Sequence, residues 1–264
     1  MQNNNKSDAA LLEFLERRKI KPLYTRAIRE ARAQLAEKPF RALDDFYTAY
    51  LIERHYYAMM EFDVTLDKRT NIEAISHQLD VFYWIEKLKL AGAGISQQKT
   101  GNVVYHFEMV NEITAILKKF PIESIPELAI DFYTFMTLYE KDQVEHYFNL
   151  KRTLKEFGDR IPQMNAVEII DSALHYCIGK INKGHQEFNQ EFFDLFDEGL
   201  KKGIFIIKGE LATWRFNNMV AAATKLGKLE WAESFIKNYY KYLPCKHVIR
   251  LLCPVKLLVA GASY

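Results

Sequence analysis

Glycine and proline are scarce in this chain, 11 and 7 among 264 residues. With so few turn formers and so much Leu, Ala, Glu and Lys, the expectation is long helices joined by short connections. Cysteine is scarcer still. Cys177, Cys245 and Cys253 form no CxxC pair and leave one over if two bridge, which fits a reducing, cytoplasmic setting better than a disulfide scaffold. Long apolar runs are missing too, so no transmembrane helix is expected. The nearest approach, LLCPVKLLVAGA, is short and is interrupted by Pro254 and Lys256. The polar start MQNNNKSDAA carries no apolar signal segment. Neither sign of charge dominates, with 36 Lys/Arg against 34 Asp/Glu. A net charge of +2 offers no global field for nucleic acid or an acidic membrane.

Catalytic signatures are also wanting. None of the seven histidines belongs to HExxH or follows a glutamate by three residues, which removes the zinc-protease and di-iron-bundle patterns. There is no nucleophile elbow, dinucleotide fingerprint or paired-metal pattern. GAGISQQKTG at 92–101 has the composition of a phosphate loop. A helical pattern precedes it, however, and Lys99 comes before Gly101, the wrong order for a loop that opens a helix. Gly92 and Gly94 read instead as helix-terminating residues. The best local titratable cluster is Glu168, Asp171 and His175, at spacings of three and four on one helix face. Such a face could bind a metal or pass a proton, but its ordinary role is a solvated surface. Glu73 with His77 and Asp142 with His146 share the geometry with weaker claims. Cys177 reads as a buried helix thiol, and the aromatic and methionine runs at 55–60 and 81–84 read as core. The chain is expected to be no enzyme, with no catalytic residue and no cofactor.

What is present is helical periodicity. Hydrophobic residues make up 49% and aromatics 14%, enough for a core of large flat side chains between helices. After a disordered stretch at 1–7, N-terminal helices are expected within 8–61, over about 8–18, 22–37 and 41–61. The basic residues of the first 40 positions recur between Leu11, Leu12, Leu15, Ile20 and Leu23 as a solvated face, with an anionic partner as the alternative. DVTLDKRTN reads as a loop. A further helix follows, with Ile75, Leu79, Phe82, Ile85 and Leu88 on one side. Residues 62–244 are expected to form a helical-hairpin region continuous with the N-terminal helices as one domain. A recurring breaker marks it: Pro121, Pro162, Gly203 and Pro244 stand 41 residues apart, each just after an apolar helix face. A fixed period in an all-helical pattern argues for stacked hairpins, an all-α superhelix or solenoid. Pro39 continues the period only by skipping Asp80, so the repeat weakens toward the N-terminus.

The last hairpin, TWRFNNMVAAATKLGKLEWAESFIKNYYKYLP at 213–244, resembles a tetratricopeptide repeat, a helix–turn–helix unit of about 34 residues. Gly227 falls at the family's turn, Ala232 at its small residue on the second helix, and Pro244 at its terminal proline. Phe216 and Met219 serve for the large residues of the first helix, whereas Val220 and Ala223 depart from the pattern. The resemblance implies a scaffold that binds a protein or peptide along a concave surface lined by first helices, here Asn217, Asn218, Ala221 and Lys225. The same stretch is similar to a pentatricopeptide repeat, with Asn217 and Asn218 near that family's base-reading end. A base code needs several such repeats, and one near-neutral unit makes RNA a secondary reading. The tail at 245–264 contains no acidic residue and has Pro254 in mid-run. It reads as a non-native cap on a truncated or frame-shifted repeat protein, the alternative being a segment docked on an apolar groove or another copy.

Overall fold

The computed structural model describes residues 10–15, 17–18, 21–61, 71–101 and 103–244. The expected loop at 62–70 and the tail at 245–264 therefore lie outside the described residues. Helices account for nearly all of the regular structure. Among the described residues the sole β feature is an isolated bridge between Ile207 and Glu210. Helical residues 10–15 form α1. Next come α2 (Lys21–Ala36), α3 (Leu43–Glu61), α4 (Ile72–Thr100), α5 (Val110–Leu117), α6 (Pro126–Tyr139), α7 (Glu145–Phe157), α8 (Gln163–Asn182), α9 (Phe188–Lys201), α10 (Thr213–Lys225) and α11 (Leu229–Tyr239). The chain divides into two compact units, Met1–Ile161 and Pro162–Tyr264. The division falls on one of the periodic prolines.

In the first unit α2 packs on α3, α3 on α4, α4 on α6 and α6 on α7. Leu12 and Leu15 of α1, Tyr24, Ile28, Ala31 and Leu35 of α2, and Ala49 and Ile52 of α3 form one buried cluster. The sequence of α6, PELAIDFYTFMTLY, places apolar side chains on every side of the helix, and such a helix belongs in an interior. No residue from Pro126 to Leu138 is exposed, because α4 and α7 cover it on separate flanks.

α4 departs from expectation in two ways. Leu79 is 42% exposed, and the buried row is Val81, Ile85, Leu88 and Ala91. Nor do Gly92 and Gly94 end the helix, which continues to Thr100. Both glycines are buried, and a Cβ on Gly94 would overlap the ring of Phe107 from the following segment. The missing side chain makes room for an aromatic ring. With helix running through 92–100, the phosphate-loop geometry is absent from this segment.

The second unit packs α8 on α9, α9 on α10 and α10 on α11. Glycine sets the ends of α9 and α10. After α10 the N–H of Gly227 donates to the carbonyl of Thr224 (3.0 Å), and that of Lys228 donates to Ala223 (2.9 Å). Gly227 itself has φ +71°, a left-handed conformation that lacks steric cost only without a Cβ. Gly203 ends α9 in the same way, its N–H bonded to Leu200 and that of Ile204 to Gly199. Pro121, Pro162 and Gly203 thus stand between helices and Pro244 follows the last described one, and each interval from Pro121 onward holds one contacting pair: α6 with α7, α8 with α9, α10 with α11.

Candidate functional site

On α10 the four residues singled out by the repeat resemblance divide by environment. Asn217, Ala221 and Lys225 are exposed and lie at four-residue steps, so they form a single outward row. Asn218 is half-buried, and its Nδ2 donates back to the carbonyl of Trp214 at 2.9 Å. The inward side of the same helix buries Arg215, Phe216, Met219, Val220, Ala222 and Ala223. Of the packing residues, Ala232 is buried on α11 and Gly227 makes the turn, while Pro244 follows the short 3-10 turn Tyr240–Tyr242. Phe235 joins the two helices, its ring centroid 5.1 Å from that of Phe216.

The Glu168, Asp171 and His175 row does share one side of α8, yet it is not a metal cluster. No group of three or more potential ligands converges among the described residues. Asp171 is instead held by Arg215 of α10. Nε donates to Oδ1 at 2.8 Å, and Nη2 makes a second, shorter bond to Oδ2. Arg215 is 5% exposed, and its guanidinium also lies over the rings of Phe205 (5.1 Å) and Trp214 (5.3 Å). A planar cation suits this place, because it can bond a carboxylate along one edge while its faces meet aromatic rings. His175 stays exposed. Its Nδ1 bonds the carbonyl of Asp171 at 2.7 Å, and its ring lies 4.5 Å from that of Trp214. Glu168 is exposed as well.

Of the other paired histidines, His146 meets a carboxylate from outside its own helix. His146, on α7, is buried and its Nε2 meets Oε2 of Glu140 at 2.9 Å, while Lys118 reaches Oε1 of the same carboxylate at 2.6 Å. Partial burial pushes the Glu140 carboxyl up, and the hydrogen bonds and charges of Lys118 and His146 outweigh it, so the group titrates below its usual range. Cys177 is fully buried in α8, as expected for a packed thiol.

Arg215 and Trp214 escaped sequence reasoning, although the signal was a charged residue amid the apolar positions of TWRFNNMV. No helix among the described residues is long and apolar enough to cross a membrane. No family model, curated protein or solved structure matches this chain, so its resemblance to helical repeats rests on its own residues and geometry.

Proposed function

We propose that this chain is a non-catalytic interaction scaffold of the cytoplasm, built from tetratricopeptide-like helical repeats and binding a protein or peptide segment. The observation that carries the reading is the last unit. Its first helix holds a buried side against its neighbours and leaves Asn217, Ala221 and Lys225 as a row facing solvent. Helical repeats use such first-helix rows to receive partner segments. Recurrence of one contacting helix pair per 41-residue interval supports the same reading.

The test is affinity capture of the tagged chain from host lysate, with and without nuclease, alongside Ala221→Arg and Lys225→Glu. Both substitutions fall on exposed positions and leave the core untouched. A protein partner that survives nuclease and is lost from both variants is the expected result. Capture that disappears with nuclease would instead move the function to RNA, with Asn217 the first base-reading candidate. Partners retained equally by both variants would remove α10 from the binding surface.

A further inference from the structure

In the first unit, α2, α3 and the start of α4 border a pocket of about 120 Å³ that is open to solvent on one side. It is lined by Arg32, Leu35, Arg41, Ala49, Ile52, Glu53, Ala74 and Gln78. Leu35, Ala49 and Ile52 are buried members of the core cluster and give it an apolar floor. The polar lining is unevenly satisfied. Arg32 donates from Nε (2.8 Å) and Nη2 (2.6 Å) to the carboxylate of Glu53, and its guanidinium lies 4.3 Å above the ring of Tyr56. A guanidinium has five N–H donors, so its opposite edge stays available. Asn71 Nδ2 braces Glu53 from the other side, bonding its carbonyl at 2.8 Å and Oε2 at 3.1 Å. Arg41 uses its backbone N–H on Glu127 (2.8 Å), and its guanidinium meets no acid among the described residues. Asn71 precedes α4 without capping it, so the first-turn amides up to Ala74 lack acceptors within the helix.

We propose that this pocket is a binding site for a small aliphatic monocarboxylate. Two arginines and one glutamate leave a single positive charge, which a monoanion balances and a dianion beside Glu53 would exceed. Arg41 and the open edge of Arg32 supply paired donors for a carboxylate, and the uncapped start of α4 adds a favourable dipole. The floor of Leu35, Ala49 and Ile52 calls for an alkyl tail, which distinguishes the ligand from an inorganic anion. The volume equals that of about four waters at their share of liquid volume, so the tail is short. This site is independent of the scaffold reading.

Calorimetric titration of the full chain with pentanoate, pentylammonium and sulfate tests the assignment, with ligand-observed NMR as a second readout. The expected result is saturable pentanoate binding with a Kd of about 1 mM or tighter, and none of pentylammonium. Arg41→Gln should weaken pentanoate about tenfold, the loss of one charge-assisted contact. Ala74→Phe, at an exposed position on the pocket wall, should abolish it, with helical content unchanged by circular dichroism. Absence of pentanoate binding to the folded wild type, equal affinity in Arg41→Gln, or tighter binding of sulfate than of pentanoate would each overturn the proposal.

Discussion

Two glycines of the second unit, on adjacent helices, have opposite reasons for being glycine. A Cβ on Gly199 would come within 2.6 Å of the ring of Phe205. That ring is fully buried, stacks on Phe196 at 4.7 Å and carries Arg215 above it, so it has no room to yield. Gly179 of α8 is exposed, and a Cβ added there would meet nothing within 4 Å. Gly199→Ala should therefore destabilise the protein by about 1–3 kcal/mol through overpacking, even though alanine favours a helix. Gly179→Ala should stabilise it by up to about 1 kcal/mol, having propensity to gain and nothing to displace. Urea unfolding of the two variants checks both signs, and equal shifts would refute the assigned role of Phe205. Composition showed glycine to be scarce. It could not show which glycines face a ring, because Phe205 reaches Gly199 only once the turn after α9 folds back on the helix.

Between elements, the Arg215–Asp171 pair ties α10 to α8, helices separated in sequence by α9. Its members are unequally buried, with 6% of the Arg215 side chain and 23% of Asp171 exposed. Removing the acid leaves a cation in the interior without its counter-charge, which is where most of the penalty arises. Asp171→Asn is expected to cost about 3 kcal/mol, whereas Arg215→Met, which replaces the cation with an apolar chain, should cost distinctly less. Thermal or urea denaturation orders the two, and the reverse order would show the pair to be solvated. The periodic breakers and most helix boundaries were legible, since turn residues and apolar rows are local in sequence, but the end of α4 was not, because Gly94 answers to the ring of Phe107 rather than to a turn. The 168–171–175 row was legible as a row, but the partner of Asp171 was not. Spacing reveals which residues share a side of one helix, while the partner of Asp171 sits 44 positions away on another. For the same reason Leu79 reads as core by period and proves exposed, since only the placement of α3 and α6 decides which side of α4 is covered.

For the molecule as a whole, stability against pH has an identifiable alkaline edge. Burial first, and then the hydrogen bond to Glu123 and its charge, push the Tyr133 hydroxyl up from 10.0 to about 12. Its Oη donates to Glu123 Oε1 at 2.7 Å, a bond that the phenolate cannot make. A pKa raised on folding contributes stability that is whole below pH 10 and declines as pH climbs through about 12. Tyr133→Phe should remove that part of the alkaline loss, as read by urea unfolding at a series of pH values from 10 to 12. A wild type and variant with identical stability profiles between those values would contradict it.

The covering of α6 has a kinetic counterpart. A helix with a wet side can fray one turn at a time and leave its neighbours in place. α6 has no such side from Pro126 to Leu138, because α4 lies against one flank and α7 against another. Its amides can trade hydrogen for deuterium only when one of those helices lifts away, and the least frequent opening of the first unit is then timed by its central helix.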